Sequence, residues 1–122
     1  MTALSRMKKV TIWHNPRCSK SHETLALLQG RDIQIQVVEY LKTPPSTTEI
    51  DAALKLLGLE PREFMRRNED AYREYHADDP DRPRAALLGL MHTHPELIQR
   101  PVVFTDGKAR IGRPPETILE IL

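Results

Sequence analysis

The chain of 122 residues has a single cysteine, Cys18. One thiol forbids an internal disulfide, a Cys-x-x-Cys redox pair and any polycysteine metal site, so stability must come from packing. Long apolar runs are also missing. None approaches the ~20 residues that a membrane span requires. The stretch Met1-Thr2-Ala3-Leu4-Ser5-Arg6-Met7-Lys8-Lys9 lacks the apolar core and cleavage site of a signal peptide. A cytoplasmic address is therefore expected. Charge of one sign is not in excess, because 18 Lys and Arg against 17 Asp and Glu give a net charge of +1. A nucleic-acid binder would show a denser basic patch, so neither a nucleic acid nor a membrane is expected as partner. There is no glycine-rich phosphate loop, no internal repeat and no low-complexity tract.

What is present suits one soluble domain with a proper core, at 39% hydrophobic and 29% charged residues. Residues 1–7 read as a weakly ordered tail and 8–122 as a single domain. A strand is predicted over 8–13, a helix over 19–29 with Gly30 as a left-handed stop, and a second strand over 33–40. This is a β-α-β unit, which implies parallel strands with a right-handed crossover. Pro44-Pro45 breaks the chain, and a helical section of about 46–98 follows. It opens on the capping-box sequence Ser46-Thr47-Thr48-Glu49, continues with Ile50, Ala53, Leu54 and Leu57 at helical spacing, and stops at Gly58. Pro61 starts a further helix predicted to reach Arg67. A charged loop over 68–82 contains a short helical turn near Tyr72. Asp81 is the candidate N-cap of a fourth helix carrying Leu87, Leu88 and Met91. The C-terminal section is β-β-α: Pro101-Val102-Val103-Phe104, a hairpin signal at Asp106-Gly107, a return over Ala109-Arg110-Ile111, and a last helix bearing Ile118, Leu119 and Leu122. The element order predicts an α/β, thioredoxin-like mixed sheet with an inserted helical section. In that arrangement Pro101 occupies the place of a cis-proline.

Cys18 lies where the apolar run Val10-Thr11-Ile12-Trp13 gives way to a helix. The first turn of a helix leaves N–H groups unpaired, and the positive end of its dipole favours an anion, either a thiolate or a bound oxyanion. Arg17, Lys20 and His14 are close in sequence and are positive or can become so, while Ser19 and Ser21 supply hydroxyls. Such surroundings depress a thiol pKa and make the thiolate the main species. The polar run Arg17-Cys18-Ser19-Lys20-Ser21 argues against an inert core cysteine. Arg66, Arg100 and Arg113 are candidate readers of an oxyanion, because the planar guanidinium gives two charge-assisted hydrogen bonds. His92 and His94 are best read as helix-end and surface residues, since i,i+2 positions do not share a helix face and zinc needs three or four convergent ligands. No metal site is expected.

The motif His14-Asn15-Pro16-x-Cys18-x-x-Ser21, with Glu23-Thr24-Leu25 behind it, resembles the active-site loop of the glutaredoxin-linked arsenate reductases. The likeness continues through Tyr40-Leu41-Lys42-Thr43-Pro44-Pro45, Arg66-Arg67-Asn68, His94-Pro95, Arg100-Pro101-Val102-Val103 and Gly112-Arg113-Pro114-Pro115-Glu116. It is nearest to the shorter branch whose loop reads Arg-Cys-Ser-Lys-Ser. The resemblance implies that Cys18 is the nucleophile, that His14 supports its ionisation, and that Arg66, Arg100 and Arg113 ring the oxyanion, with Arg17 and Ser21 assisting. It implies a monomer that binds no cofactor and reduces arsenate to arsenite, with glutathione as co-substrate and a glutaredoxin as partner. Two alternatives belong to other classes. One is a regulator of the Spx type that binds RNA polymerase, for which Ser21 replaces the second cysteine of the usual redox switch. The other is a glutathione-linked thiol-transfer protein.

Overall fold

Strand β1, Lys8–Trp13, sends Val10 and Ile12 to one face, where both are buried. It pairs in parallel with β2, Ile33–Val38, in the register Lys8↔Ile33 through Trp13↔Val38. Helix α1, Ser19–Gln29, is the crossover between them. On its other side β1 pairs antiparallel with β3, Val102–Thr105, and β3 with β4, Lys108–Ile111, giving the order β2-β1-β3-β4. Asp106 and Gly107 make the hairpin turn with φ of 50° and 69°, both positive as a type I′ turn demands. This is the thioredoxin-like topology expected from the element order. The computed structural model describes residues 7–122, so the tail read over 1–7 lies outside the described residues apart from Met7.

Contacts divide the chain into two units. One comprises the described residues of Met1–Glu39 together with Arg100–Leu122, and the other is Tyr40–Gln99. The core of the first is Val10, Ile12, Leu28, Val103, Ile118 and Ile121. Burying each such side chain contributes roughly 1.5–3 kcal/mol, which makes this layer the main force that holds α1 on the sheet. The second unit is helical. Its α2, Thr47–Leu57, begins with a reciprocal capping box in which Glu49 N–H donates to Ser46 Oγ at 3.1 Å and Ser46 N–H to Glu49 Oε1 at 2.9 Å. Gly58, at φ 69°, ends the helix in the left-handed conformation. A short helix α3, Asp70–Glu74, and α4, Arg84–Thr93, complete it. Ile50, Ala53, Leu54, Phe64, Met91, Leu97 and Ile98 are buried.

Five readings of the sequence are corrected. Gly30 closes α1 at φ −78°, not in the left-handed region, and its N–H reaches Ala26 O at 3.3 Å. Strand β2 ends at Val38 rather than residue 40. The helix begun by Pro61 is one 3-10 turn, Pro61–Phe64, because Met65 leaves it to form a bridge with Ile98. Asp81 does not cap α4. Pro83 holds the N-cap position, and the Asp81 N–H donates to Asp79 Oδ1 instead. The last helix, Pro115–Ile121, is 3-10, so Ile118 and Ile121 at i,i+3 are its buried pair and Leu119 is exposed.

Candidate active site

The local sequence builds the turn ahead of α1 in a definite order. Asn15 Oδ1 accepts the Arg17 N–H at 2.9 Å, and Asn15 O accepts the Cys18 N–H at 3.0 Å. Proline after asparagine pre-sets the backbone for this Asx-type reversal. Cys18 follows in extended conformation as the N-cap of α1, with φ −101° and ψ 123°. Its side chain is 8% exposed. The sulfur therefore meets the first-turn N–H groups, as the position of the turn foretold.

Burial alone would push the Cys18 thiol up. The backbone amides of Ser21 and Lys20, together with the hydrogen-bonded positive charge of Arg100, outweigh it and hold the thiol below its ordinary value. Arg113 adds a second guanidinium. Its Nη1 is 3.9 Å from Cys18 Sγ and donates to Arg100 O at 3.3 Å. Arg100 and Arg113, which follow Cys18 by 82 and 95 positions in the chain, thus converge on its sulfur. Both precede prolines, and both of those bonds, Arg100–Pro101 and Arg113–Pro114, are cis.

His14 takes a different place from the one its sequence position suggests. It is buried, and its Nδ1 lies 2.6 Å from Ser21 Oγ, which also accepts the Asn15 N–H at 3.0 Å. Burial, with a smaller push from His22, lowers the His14 pKa, against a weaker raising influence of Glu39. The ring is therefore neutral at neutral pH, and it acts on the turn through the fully buried Ser21 hydroxyl rather than as a cation. Arg17 and Lys20 are exposed, and Lys20 is paired with Glu23 at 3.6 Å. Arg66 belongs to the other unit. There its Nε donates to Glu69 Oε1 at 3.0 Å, its Nη1 to Gln99 Oε1 at 3.3 Å, and its N–H to Leu97 O at 2.7 Å.

Sequence reasoning missed the support under Arg113. Gly112 is wedged so tightly that a Cβ there would stand 2.4 Å from Thr24 Oγ1 and 2.8 Å from Pro101 Cγ. Its N–H donates to Pro101 O at 2.9 Å, and the buried Thr24 donates to Lys20 O at 2.8 Å. The only local signal was the small residue beside an arginine. His22 was missed as well. Its N–H donates to Cys18 O at 3.1 Å and its ring Nε2–H to Pro16 O, which clasps the turn. Among the described residues, no group of three or more His, Cys, Asp or Glu could hold a metal ion. His92 Nδ1–H donates to Pro45 O, and His94 stacks on Tyr75. The site offers one buried thiol of lowered pKa, two guanidiniums and a row of amides, which is a setting for nucleophilic attack on an oxyanion.

The model of the ArsC family matches residues 13–121. The chain is 48% identical over 116 residues to uncharacterized protein YfgD of Escherichia coli, covering 94% of this chain and 98% of that one. It is 44% identical over 117 residues to an arsenate reductase of Neisseria meningitidis, covering 95% and 100%. Among solved structures, an arsenate reductase from Vibrio cholerae superposes with a TM-score of 0.93 at 48% identity, covering 96% of this chain and all of that one.

Proposed function

The chain belongs to the ArsC family, and from that premise we propose that it is an arsenate reductase in which Cys18 is the nucleophile. The observation that carries the proposal is the convergence of Arg100, Arg113 and the Ser21 amide on the Cys18 sulfur. A buried thiol gains nothing structurally from such neighbours, whereas a thiolate attacking an anion needs them.

In the proposed first step the Cys18 thiolate attacks arsenic in dihydrogen arsenate. A sulfur–arsenic bond forms, one arsenic–oxygen bond breaks, and the departing oxygen takes up a proton and leaves as water. Arg100 and Arg113 neutralise the remaining oxygens as negative charge shifts onto them. Glutathione then condenses with the adduct, losing a second water and placing its sulfur on arsenic. A glutaredoxin thiolate attacks that glutathionyl sulfur. Glutaredoxin and glutathione leave as a mixed disulfide, and the electron pair stays on arsenic, which passes from As(V) to As(III). Water finally cleaves the sulfur–arsenic bond, releasing arsenite and the free Cys18 thiol. One cysteine suffices, because external thiols supply both reducing equivalents. His14 and Ser21 hold the turn in its reactive form. Arg66 and Arg17 enter the oxyanion-binding set from the resemblance.

The test is arsenite production from arsenate with glutathione and glutaredoxin, in wild type and Cys18→Ser. Turnover in the wild type and none in the variant is expected. No turnover by a folded wild-type protein, with Cys18 instead accumulating a glutathione mixed disulfide, would overturn the proposal in favour of thiol transfer.

A further inference from the structure

We propose that Thr24 is a positioning residue for the reaction at Cys18. Its side chain fills the space that a side chain at position 112 would take, and so holds the base of Arg113 where the guanidinium reaches the sulfur. The inference rests on the reading of Cys18 as a nucleophile toward an oxyanion, and it concerns a residue that no step of that reading uses.

Thr24 is an odd choice for its own helix. It lies in the middle of α1 and is fully buried. Threonine favours a helix less than alanine or leucine does, and a buried hydroxyl must find a partner. Its one hydroxyl proton goes to Lys20 O, one turn back at 2.8 Å, while Gly112 O stands farther off at 3.5 Å. Gly112 is equally unexplained by its own backbone. The glycines with positive φ are Gly58 and Gly107, so no left-handed turn requires a glycine at 112. The two residues account for each other. Thr24 Oγ1 stands 2.4 Å, and Thr24 Cγ2 3.1 Å, from the place of a Cβ at 112. Glycine is there to admit the threonine.

The contact matters because Arg113 comes next. Arg113 is exposed, and a long exposed side chain keeps its rotamer freedom unless its head group and its backbone are both held. Arg100 O holds the head group at 3.3 Å. On the backbone, Gly112 N–H donates to Pro101 O at 2.9 Å and Arg113 N–H to Ile111 O at 2.9 Å. Both acceptors lie in the β3-β4 hairpin section, so neither bond fixes this segment against α1, from which the Cys18 turn springs. Thr24 supplies that link. The same hydroxyl bonds the carbonyl of Lys20, whose amide supports the Cys18 thiolate. One side chain thus joins the two parts of the anion site, the first-turn amides of α1 and the Arg113 guanidinium. A misplacement of about 1 Å in such a group costs up to about 10²-fold in rate.

The test compares alkylation of Cys18 by iodoacetate, an anion, with alkylation by iodoacetamide, its neutral counterpart, and so needs no arsenate turnover. A guanidinium beside the sulfur favours the anion. Arg113→Met is expected to lower the ratio of the two rates by about 2–5-fold, the scale of one partly exposed charge pair. Thr24→Ala, with circular dichroism unchanged, is expected to lower it comparably and to add nothing in the Arg113→Met background. Thr24→Ser keeps the hydroxyl and should recover most of the ratio. Thr24→Val keeps the volume but sets a methyl against Lys20 O, so it should not, and it carries the test if the alanine chain fails to fold. The kcat/KM for arsenate should follow the same order. A wild-type ratio in Thr24→Ala and Thr24→Val would overturn the proposal, as would a drop that persists undiminished in the Arg113→Met background. The expected pattern of ratios in a chain that does not turn over arsenate would overturn the proposed function alone and leave the placement of Arg113 by Thr24 in force.

Discussion

The Arg113 guanidinium is 3.9 Å from the Cys18 sulfur, although the two residues lie at opposite ends of the chain. Its second bond, to Arg100 O, ties it to the segment that carries the other arginine of the site. A planar fork fixed in this way can leave the thiolate for the oxygens of an arriving oxyanion without losing its anchorage.

Replacing Arg113 by Met should lower kcat/KM for arsenate by about 10²–10³-fold, the scale seen when one preorganised donor is removed from an oxyanion site. Arg113→Lys should recover only part of the loss, because an ammonium cannot hold the Arg100 carbonyl and an oxyanion as a fork does. Steady-state kinetics on the two variants, with folding checked by circular dichroism, measures both. Equal activity of the Lys variant and wild type would remove the fork geometry from the mechanism.

Arg100 should set the Cys18 titration. Burial opposes the thiolate, and the Ser21 amide with the Arg100 charge reverses the balance. Thiolate absorbance in the wild type should titrate below the ordinary thiol value of about 8.5, and Arg100→Met should move the midpoint upward. Folding stability should rise with pH between the folded midpoint and about 8.5, because in that window the unfolded chain holds the proton that the folded chain has released.

His14 should make the protein acid-sensitive near neutrality. Its folded pKa is lowered, chiefly by burial. Between that value and about 6.5 the unfolded chain binds more protons than the folded one, so stability is full above about 6.5 and falls as pH drops through the window. Urea midpoints measured from pH 7.5 to 5 should show this decline and should flatten in His14→Gln. Ser21→Ala leaves the buried His14 Nδ1 and the half-buried Asn15 N–H without their shared hydroxyl partner, and should cost about 1–3 kcal/mol at pH 7.

Gly112→Ala should destabilise the fold by about 1–3 kcal/mol, since the added methyl meets Thr24 Oγ1 and Pro101 Cγ inside a packed interior. Thr24→Ala removes one of the two obstacles, so the double variant should be more stable than the sum of the single losses predicts. Denaturation of all four proteins closes the cycle. Additive losses would show that the contact does not determine the cost.

Much of this was legible where the cause is local. The capping box at Ser46 and Glu49, the Asp106-Gly107 hairpin and the thiol at the start of α1 each follow from residues adjacent in sequence. The errors fall where tertiary contacts override local preference. Proline at Pro61 starts a helix, but the bridge between Met65 and Ile98 ends it after one turn. Apolar residues at Ile118, Leu119 and Leu122 fit an α-helical face, yet the 3-10 turn buries Ile118 and Ile121 instead. The neutral state of His14 depends on its burial, and the wedge at Gly112 depends on a threonine 88 positions away. Neither could be seen from neighbours in sequence.

The most direct measurement is the rate of Cys18 alkylation by iodoacetamide at neutral pH, with and without arsenate. The proposed mechanism predicts alkylation of the free protein faster than that of an ordinary thiol, because the lowered pKa enlarges the thiolate fraction, and saturable protection by arsenate that is weakened in Arg100→Met and Arg113→Met. Alkylation as slow as that of an ordinary buried thiol, or a rate indifferent to arsenate, would contradict it.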